Sequence, residues 1–125
     1  MSQKSILDIA TSFLELVVSG KVRDAYNKHV GQHLVHHNPY FKGDRESLLD
    51  AMEKDAIENP NKDLEIKLTL VDGNLVTTYS HLKRWSNDLG FAVIHIFRIK
   101  NSQIIEMWDL VHELVEDSPN EYGMF

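Results

Sequence analysis

Asp109 is the residue of this 125-residue chain whose surroundings point most clearly to chemistry. Side chains alternate between the two faces of a strand, so Asp109 shares a face with Met107 and Val111. If that face is interior, apolar groups surround the carboxylate, and burial makes it a stronger base unless a donor or a cation compensates. The alternative is a structural aspartate that is hydrogen-bonded to backbone or to a tryptophan N–H.

The register of the last hairpin decides whether His95 joins Asp109. A three-residue loop, Lys100-Asn101-Ser102, places His95 opposite Met107 and Val93 opposite Asp109. His95 and Asp109 then share a face as diagonal neighbours, with Cα atoms about 7–8 Å apart. A two-residue loop would place them on opposite faces, because a slip of one residue inverts the side-chain pattern.

A symmetrical hairpin centred on Asp88 adds His81 opposite His95 and Tyr79 opposite Phe97. Several polar groups then converge in an apolar hollow, as in most ligand sites, although each histidine alone is as well explained by solvent exposure or by a structural hydrogen bond. The predicted catalytic residues are Asp109, His95 and His81. The predicted substrate-binding residues are His37, Tyr79, Phe91, Val93, Phe97, Met107, Tyr40 and Phe13.

The histidines suit acid–base chemistry near neutral pH. A metal site is the alternative, since His81, His95 and Asp109, with or without His37, make a two-histidine-one-carboxylate set. Their apolar neighbours offer few acceptors for the second imidazole nitrogens, which metal-bound histidines need. We therefore expect neither a metal nor another cofactor.

Composition narrows the function classes. The net charge of −6, with 13 Lys and Arg that do not cluster, disfavours nucleic acid as a partner. The absence of cysteine excludes disulfides and thiol nucleophiles. Neither a glycine-rich phosphate loop nor a nucleophile elbow is present. No apolar run approaches the roughly 20 residues of a membrane span, and the N-terminus does not resemble a signal peptide, so we expect a cytoplasmic protein that binds a small apolar or carbonyl-containing molecule.

Helices are predicted in the first half of the chain. Apolar residues at helical spacing predict a long first helix from Ser5, its N-cap, to Gly20. A short second helix follows at about 21–30, ended by Gly31. Residues 34–41 are expected to be an ordered crossing because Pro39 disfavours helix. Asp44 is the predicted N-cap of a third helix.

Strands are predicted in the second half. Alternation from Leu64 to Leu70 predicts the first, and three more follow at about 75–85, 91–100 and 103–115. Helices followed by an antiparallel meander indicate a single α+β domain, residues 1–125, whose curved sheet wraps around one long and two shorter helices.

The strand at 91–100 is apolar on both faces and needs a cover on each. The helices cover one face, and a second copy of the sheet would cover the other, so we predict a homodimer. The alternative cover is the C-terminal tail, through Tyr122, Met124 and Phe125.

Several motifs resemble the SnoaL-like proteins of the nuclear-transport-factor-two-like (NTF2-like) superfamily. The motifs are His37-Asn38-Pro39, Ser80-His81, His95-Ile96-Phe97-Arg98, the run from Ile104 to Asp109, and Gly123-Met124-Phe125. The resemblance covers nearly the whole chain. It implies a cone-shaped, cystatin-like roll that dimerises through the outer face of its sheet.

The resemblance also implies a reaction. SnoaL-type cyclases close a polyketide ring by a cofactor-free aldol condensation in which a pocket aspartate removes a proton next to a carbonyl, the role that falls here to Asp109. His81 and His95 would polarise the carbonyl or move the proton, and Tyr79 would donate to the enolate oxygen. Related proteins commonly carry Asp at the position of His95, His at those of Met107 and Tyr79, and Gly at that of Ser102.

The leading hypothesis is therefore a cofactor-free enzyme that abstracts a proton alpha to a carbonyl, of the aldol-cyclase, isomerase or lyase type. The rival is a non-catalytic module that binds a ligand or dimerises on the same fold. Loss of turnover with retained binding in Asp109→Asn separates the two.

Overall fold

The computed structural model describes residues 2–125 and contains three helices and one curved, open sheet of five strands. The elements are α1 (Gln3–Val18), α2 (Val22–His29), β1 (Val30–His36), α3 (Arg45–Glu58), β2 (Asp63–Asp72), β3 (Leu75–Lys83), β4 (Phe91–Lys100) and β5 (Gln103–Glu113). The predicted α+β arrangement is confirmed. None of the helices within residues 2–125 has the length and apolarity needed to cross a membrane.

Side-chain caps fix where the long helices begin. The Asp44 carboxylate accepts a hydrogen bond from the Ser47 N–H at 3.1 Å, so the predicted cap of α3 is confirmed. In α1 the cap is Ser2, whose Oγ accepts from the Ser5 N–H at 3.1 Å. The prediction of Ser5 as the cap was wrong by one turn, because Ser5 already lies inside the helix.

The sheet has the order β1-β5-β4-β3-β2, and β2 to β5 form the predicted antiparallel meander. β1 was not predicted: it pairs in parallel with β5, so the sheet is mixed. α2 ends at His29, and Gly31 belongs to the strand that follows. A Cβ added at Gly31 would lie 3.4 Å from the Ile104 carbonyl oxygen, close to ordinary van der Waals contact, and this glycine lies within the strand and does not end the helix.

The β4–β5 hairpin keeps His95 and Asp109 on one face by an unexpected route. Its turn holds two residues, Asn101 and Ser102, both with positive φ, which alone would turn Asp109 outward. A bulge at Ile105 adds one residue to β5, which turns Asp109 back to the face that carries His95. His95 therefore lies directly opposite Asp109, and the predicted pairing of His95 with Met107 was wrong.

The β3–β4 register contradicts the predicted symmetrical hairpin. His81 pairs with Ala92 and Tyr79 with Ile94, while Thr78 pairs with His95. The connection is asymmetric because β4 begins immediately after Gly90. Only glycine fits at this position, since φ is +79° and an added Cβ would lie 2.1 Å from the Leu82 carbonyl oxygen. His81 and Tyr79 consequently lie on the face opposite to His95 and Asp109.

The two faces of the sheet have different covers. The concave face packs against the helices, and Phe13, Tyr26 and Phe97 are fully buried between them. On the convex face the Phe125 ring stacks on that of His81, with centroids 4.8 Å apart, and packs at a tilt against that of Tyr79, with centroids 5.2 Å apart. The tail thus covers part of this face, while Leu110 is 58% exposed. The homodimer stays a prediction.

Candidate functional site

A cavity of about 300 Å³ lies between the helices and the concave face of the sheet. Its wall is mostly apolar, and its polar side chains are Asn38, Asp55, Lys62, His95 and Asp109. The apolar part is formed by Phe13, Leu14, Val17, Val18, Phe41, Leu48, Ala51, Met52, Leu64, Leu82, Val93, Met107 and Val111. Such a hollow with few polar groups is typical of a small-molecule site.

Asp109 and His95 form a direct cross-strand pair in this wall. Residues paired in this way have Cβ atoms about 4.5–5.5 Å apart, so the two side chains are neighbours. One carboxylate oxygen of Asp109, Oδ2, accepts a hydrogen bond from Asn38 Nδ2 at 3.1 Å. The other, Oδ1, is buried and has no partner within residues 2–125. One oxygen is therefore anchored by Asn38, while the other has no hydrogen-bond partner among the described residues.

His95 is held as a neutral imidazole. Burial lowers its pKa to about 4, and the nearby charge of Asp109 opposes this shift only in part. Its ring lies parallel to that of Phe97, with centroids 5.6 Å apart, and Nδ1 is buried with no partner in the described part of the chain. At pH 7 this imidazole can donate one hydrogen bond without carrying a charge.

Asn38 is the site residue that the sequence reasoning missed. Its Oδ1 accepts from the Tyr40 N–H at 3.0 Å, a local turn that fixes the side chain, and Nδ2 is then free to hold Asp109. The available signal was the pair Asn38-Pro39, since such a pair favours turn initiation. Asn38 therefore fixes the orientation of the carboxylate.

His37 and Tyr40 were predicted to contact a ligand, but neither lines the cavity. The His37 ring stacks on Trp108 at 4.9 Å, and its Nε2 lies 2.8 Å from Glu106 Oε2 on the convex side. Adjacent residues of an extended segment point in opposite directions, so His37 points outward because Asn38 points inward. Tyr40 is 86% exposed.

His81 and Tyr79 also lie away from the cavity. His81 Nε2 donates to the Leu89 carbonyl oxygen at 2.7 Å, and the Tyr79 hydroxyl donates to the carbonyl oxygen of Met124. The prediction that they share a hollow with Asp109 was wrong, for the reason of register given above.

The predicted apolar contacts divide into two groups. Phe13, Val93 and Met107 line the cavity as expected. Phe97 is fully buried behind it, with its ring 5.8 Å from that of Phe13. Phe91 lies outside the wall, beneath the Arg84 guanidinium at 5.0 Å.

Further buried polar groups surround the pair. His36 is almost fully buried, burial lowers its pKa, and its Nε2 has no partner in residues 2–125. Thr78, directly opposite His95, and Ser80 have buried hydroxyls that are likewise unpaired within the described chain. Unpaired buried polar atoms are costly, so their occurrence on the same face of the sheet as Asp109 and His95 favours a functional role for that face.

The same geometry bears on the metal alternative. His81 lies on the other face, so the two-histidine-one-carboxylate set does not assemble. Within residues 2–125, no group of three or more His, Asp or Glu side chains is placed to hold a metal ion.

Comparison with known proteins identifies the fold. No family model and no curated protein matches the chain. Solved structures do match, among them a candidate polyketide cyclase from Bacillus cereus ATCC 10987, with 26% identity, TM-score 0.74, and coverage of 89% of this chain and 78% of that one. A SnoaL-like protein of unknown function from Burkholderia thailandensis E264 has 11% identity, TM-score 0.74, and coverage of 90% and 98%.

A third match is AclR, a candidate hydroxylase from Streptomyces galilaeus, with 12% identity, TM-score 0.76, and coverage of 89% and 91%. Other neighbours are described as NTF2-like and cystatin-fold proteins. The structural neighbours of this chain are thus NTF2-like and SnoaL-like proteins, and the predicted resemblance is confirmed.

Proposed function

We propose that this NTF2-like chain is a small-molecule enzyme whose own side chains remove a proton from the carbon alpha to a carbonyl. Asp109 is the proposed base and His95 the proposed hydrogen-bond donor to the carbonyl oxygen. The observation that carries the proposal is their direct pairing in the wall of an apolar cavity, where each has a buried polar atom without a protein partner.

The reaction starts at Asp109. Its free oxygen, Oδ1, takes the alpha proton, and the electrons of the C–H bond move into the carbonyl to give an enolate. The anchored oxygen stays with Asn38, so the carboxylate does not have to reorient during the transfer. A base within hydrogen-bond reach of the proton contributes typically 10²–10⁴-fold to such a step.

His95 stabilises the negative charge that develops on the carbonyl oxygen. The lowered pKa keeps the His95 imidazole neutral, and a neutral imidazole still has one N–H to donate to the carbonyl oxygen. Apolar surroundings make this hydrogen bond stronger than it would be in water. The enolate can then attack a second carbonyl of the same molecule, as in an aldol cyclisation, or regain the proton at another carbon, as in an isomerisation.

One structural neighbour supports this reaction class. The match of 26% identity is described as a candidate polyketide cyclase, and ring closure by aldol condensation requires an enolate. A shared fold alone does not fix a function, so the weight of the argument stays on Asp109 and His95.

The decisive experiment measures exchange of alpha protons for deuterium in a panel of apolar ketones, followed by NMR in D₂O. We expect the wild type to catalyse exchange for at least one ketone and Asp109→Asn to lose 10²–10⁴-fold in rate while binding that ketone within about threefold. Asp72→Asn, at the exposed β2–β3 turn, is the matched control and should exchange at the wild-type rate.

Two results would count against the proposal. If Asp109→Asn exchanges alpha protons at the wild-type rate, Asp109 is not the base. Tight binding of a ketone without exchange by the wild type would favour the rival reading, a non-catalytic ligand-binding module on the same fold.

A further inference from the structure

The cavity has a second polar end that the proposed reaction does not use. Lys62 lines it there and forms an ion pair with Asp55 on α3. The Lys62 side chain is only 9% exposed, so most of it is buried in the wall, whereas the Asp55 side chain that it pairs with is 48% exposed. Asn59 Nδ2 donates to the other oxygen of Asp55 at 2.8 Å and fixes the carboxylate in place.

The two polar ends are well separated. Lys62 precedes Leu64, which is aligned through Leu82 with Phe91, four residues before His95 on β4. Lys62 itself is two residues before Leu64 and two strands away from His95, so their backbones are roughly 20 Å apart, and the reach of the two side chains shortens this to a gap of the order of 10 Å. A molecule that contacts both ends must therefore be elongated.

The wall between the two ends is apolar. Val17, Leu64, Leu82 and Val93 are among the side chains that form it. The body of such a molecule is consequently a hydrocarbon chain or ring, held by burial of its apolar surface.

The charge around Lys62 decides which group binds there. An ammonium has three N–H donors, and Asp55 uses one. Asp55 already balances the charge of Lys62, and the adjoining groove carries Glu15, Asp63 and Glu65. Among the described residues that line the cavity and this groove, Lys62 is the one lysine or arginine. An incoming carboxylate would add an uncompensated negative charge, whereas a neutral oxygen would only gain a hydrogen bond.

We propose that Lys62 is the second binding point of this cavity, and that it selects an elongated, uncharged ligand with an acceptor oxygen, of the ketone, ester or amide type, at the end remote from the reacting carbonyl. The assignment of the reacting end rests on the proposed function of Asp109 and His95. The assignment of the remote end rests on Lys62 and Asp55 alone.

Three matched probes test the specificity. Each is a straight-chain methyl ketone of about 10 Å that ends in a methyl ester, a carboxylate or a methyl group. For the wild type we expect the ester to bind about tenfold more tightly than the methyl-terminated ketone, and the carboxylate to bind no better than that ketone. Tighter binding of the carboxylate, or equal binding of all three, would overturn the proposal without any variant being made.

Two variants sharpen the test. Lys62→Met should lose the tenfold preference for the ester and bind the methyl-terminated ketone within twofold of the wild type. Asp55→Asn removes the balancing charge, so it should gain at least tenfold in affinity for the carboxylate probe. Asp50→Asn, on the exposed side of α3, is the matched control and should change neither ratio.

The two proposals fail separately. Exchange that depends on Asp109 but shows no ester preference would contradict the role of Lys62 and support the proposed reaction. An ester preference that depends on Lys62, in a protein without exchange activity, would contradict the proposed reaction and support Lys62 as the second binding point.

Discussion

The two faces of the sheet both carry polar side chains, but those on the convex face are hydrogen-bonded, whereas those on the concave face include buried atoms without a partner. On the convex face His37 meets Glu106, His81 meets the Leu89 carbonyl, and Tyr79 meets the Met124 carbonyl. On the concave face His95, Asp109, His36, Thr78 and Ser80 each have a buried polar atom with no partner in residues 2–125.

We propose that this difference separates structural histidines from a functional one. A paired histidine contributes to stability, whereas leaving a buried polar atom unpaired costs roughly 1–3 kcal/mol. Residue type does not distinguish His81 from His95; their hydrogen-bond partners do. On this proposal the convex-face pairs are structural, and the concave face carries the ligand chemistry.

The largest expected effect concerns assembly through the convex face. If a second copy covers that face, Leu110→Arg should convert a dimer fully to a monomer, because a charge buried in an interface without a partner is costly. Sedimentation equilibrium measures the mass, with Asp50→Lys on α3 as the control. A wild type that sediments as a monomer at high concentration would contradict the predicted homodimer.

The next effect is on catalysis. His95→Leu should slow exchange of alpha protons about 10²-fold, since it removes one donor to a developing oxyanion and such a loss has an effect of this size. His81→Leu, on the other face, should stay within twofold of the wild type. Equal effects of the two substitutions in the deuterium assay would abolish the distinction between the faces.

The pH dependence of stability gives a third test. The pKa of His95 is near 6.5 unfolded and about 4 folded, so the unfolded chain binds more protons between these values and stability rises with pH. The contribution is roughly 3 kcal/mol, fully present above pH 6.5 and lost as the pH falls toward 4.

Urea unfolding between pH 4.5 and 7 measures this slope. His95→Gln should lose its part of the slope, and His81→Gln should retain it. Burial lowers the pKa values of His29 and His36 too, and that contribution is common to both variants. A slope that survives unchanged in His95→Gln would mean that His95 is not desolvated in the folded protein.

The smallest effect contrasts adjacent hydroxyls on β3. Thr78→Val removes a buried, unpaired hydroxyl and should leave the free energy of unfolding unchanged or raise it by up to about 1 kcal/mol. Tyr79→Phe removes a paired hydroxyl and should lower it by about 1 kcal/mol. Chemical denaturation of the two variants checks the signs, and a loss of stability in Thr78→Val would show that the hydroxyl has a partner.

Much of the fold was predictable because the hydrophobic period is local information. The helical stripe of α1, the alternation in β2 and the apolar run of β4 were read correctly from neighbouring residues. β1 was missed because its stability comes from pairing with β5, more than seventy residues away. The residues of β1 themselves do not indicate that a distant strand pairs with them in parallel.

The site was predictable only where register did not matter. Asp109 was identified from its own neighbours, but the position of His95 depends on the bulge at Ile105, and that of His81 on the asymmetric connection that ends at Gly90. Both features shift a strand by single residues, which composition does not reveal. Asn38 lies seventy-one residues from its partner and could be placed only by the fold.

The contact between Asn38 and Asp109 has a consequence for biosynthesis. β1 lies at the sheet edge beside β5, so during synthesis the segment that bears Asn38 leaves the ribosome about seventy residues before the strand that it joins. Its backbone donors stay open to other chains for that interval, and the contact between Asn38 and Asp109 forms in one late step rather than gradually.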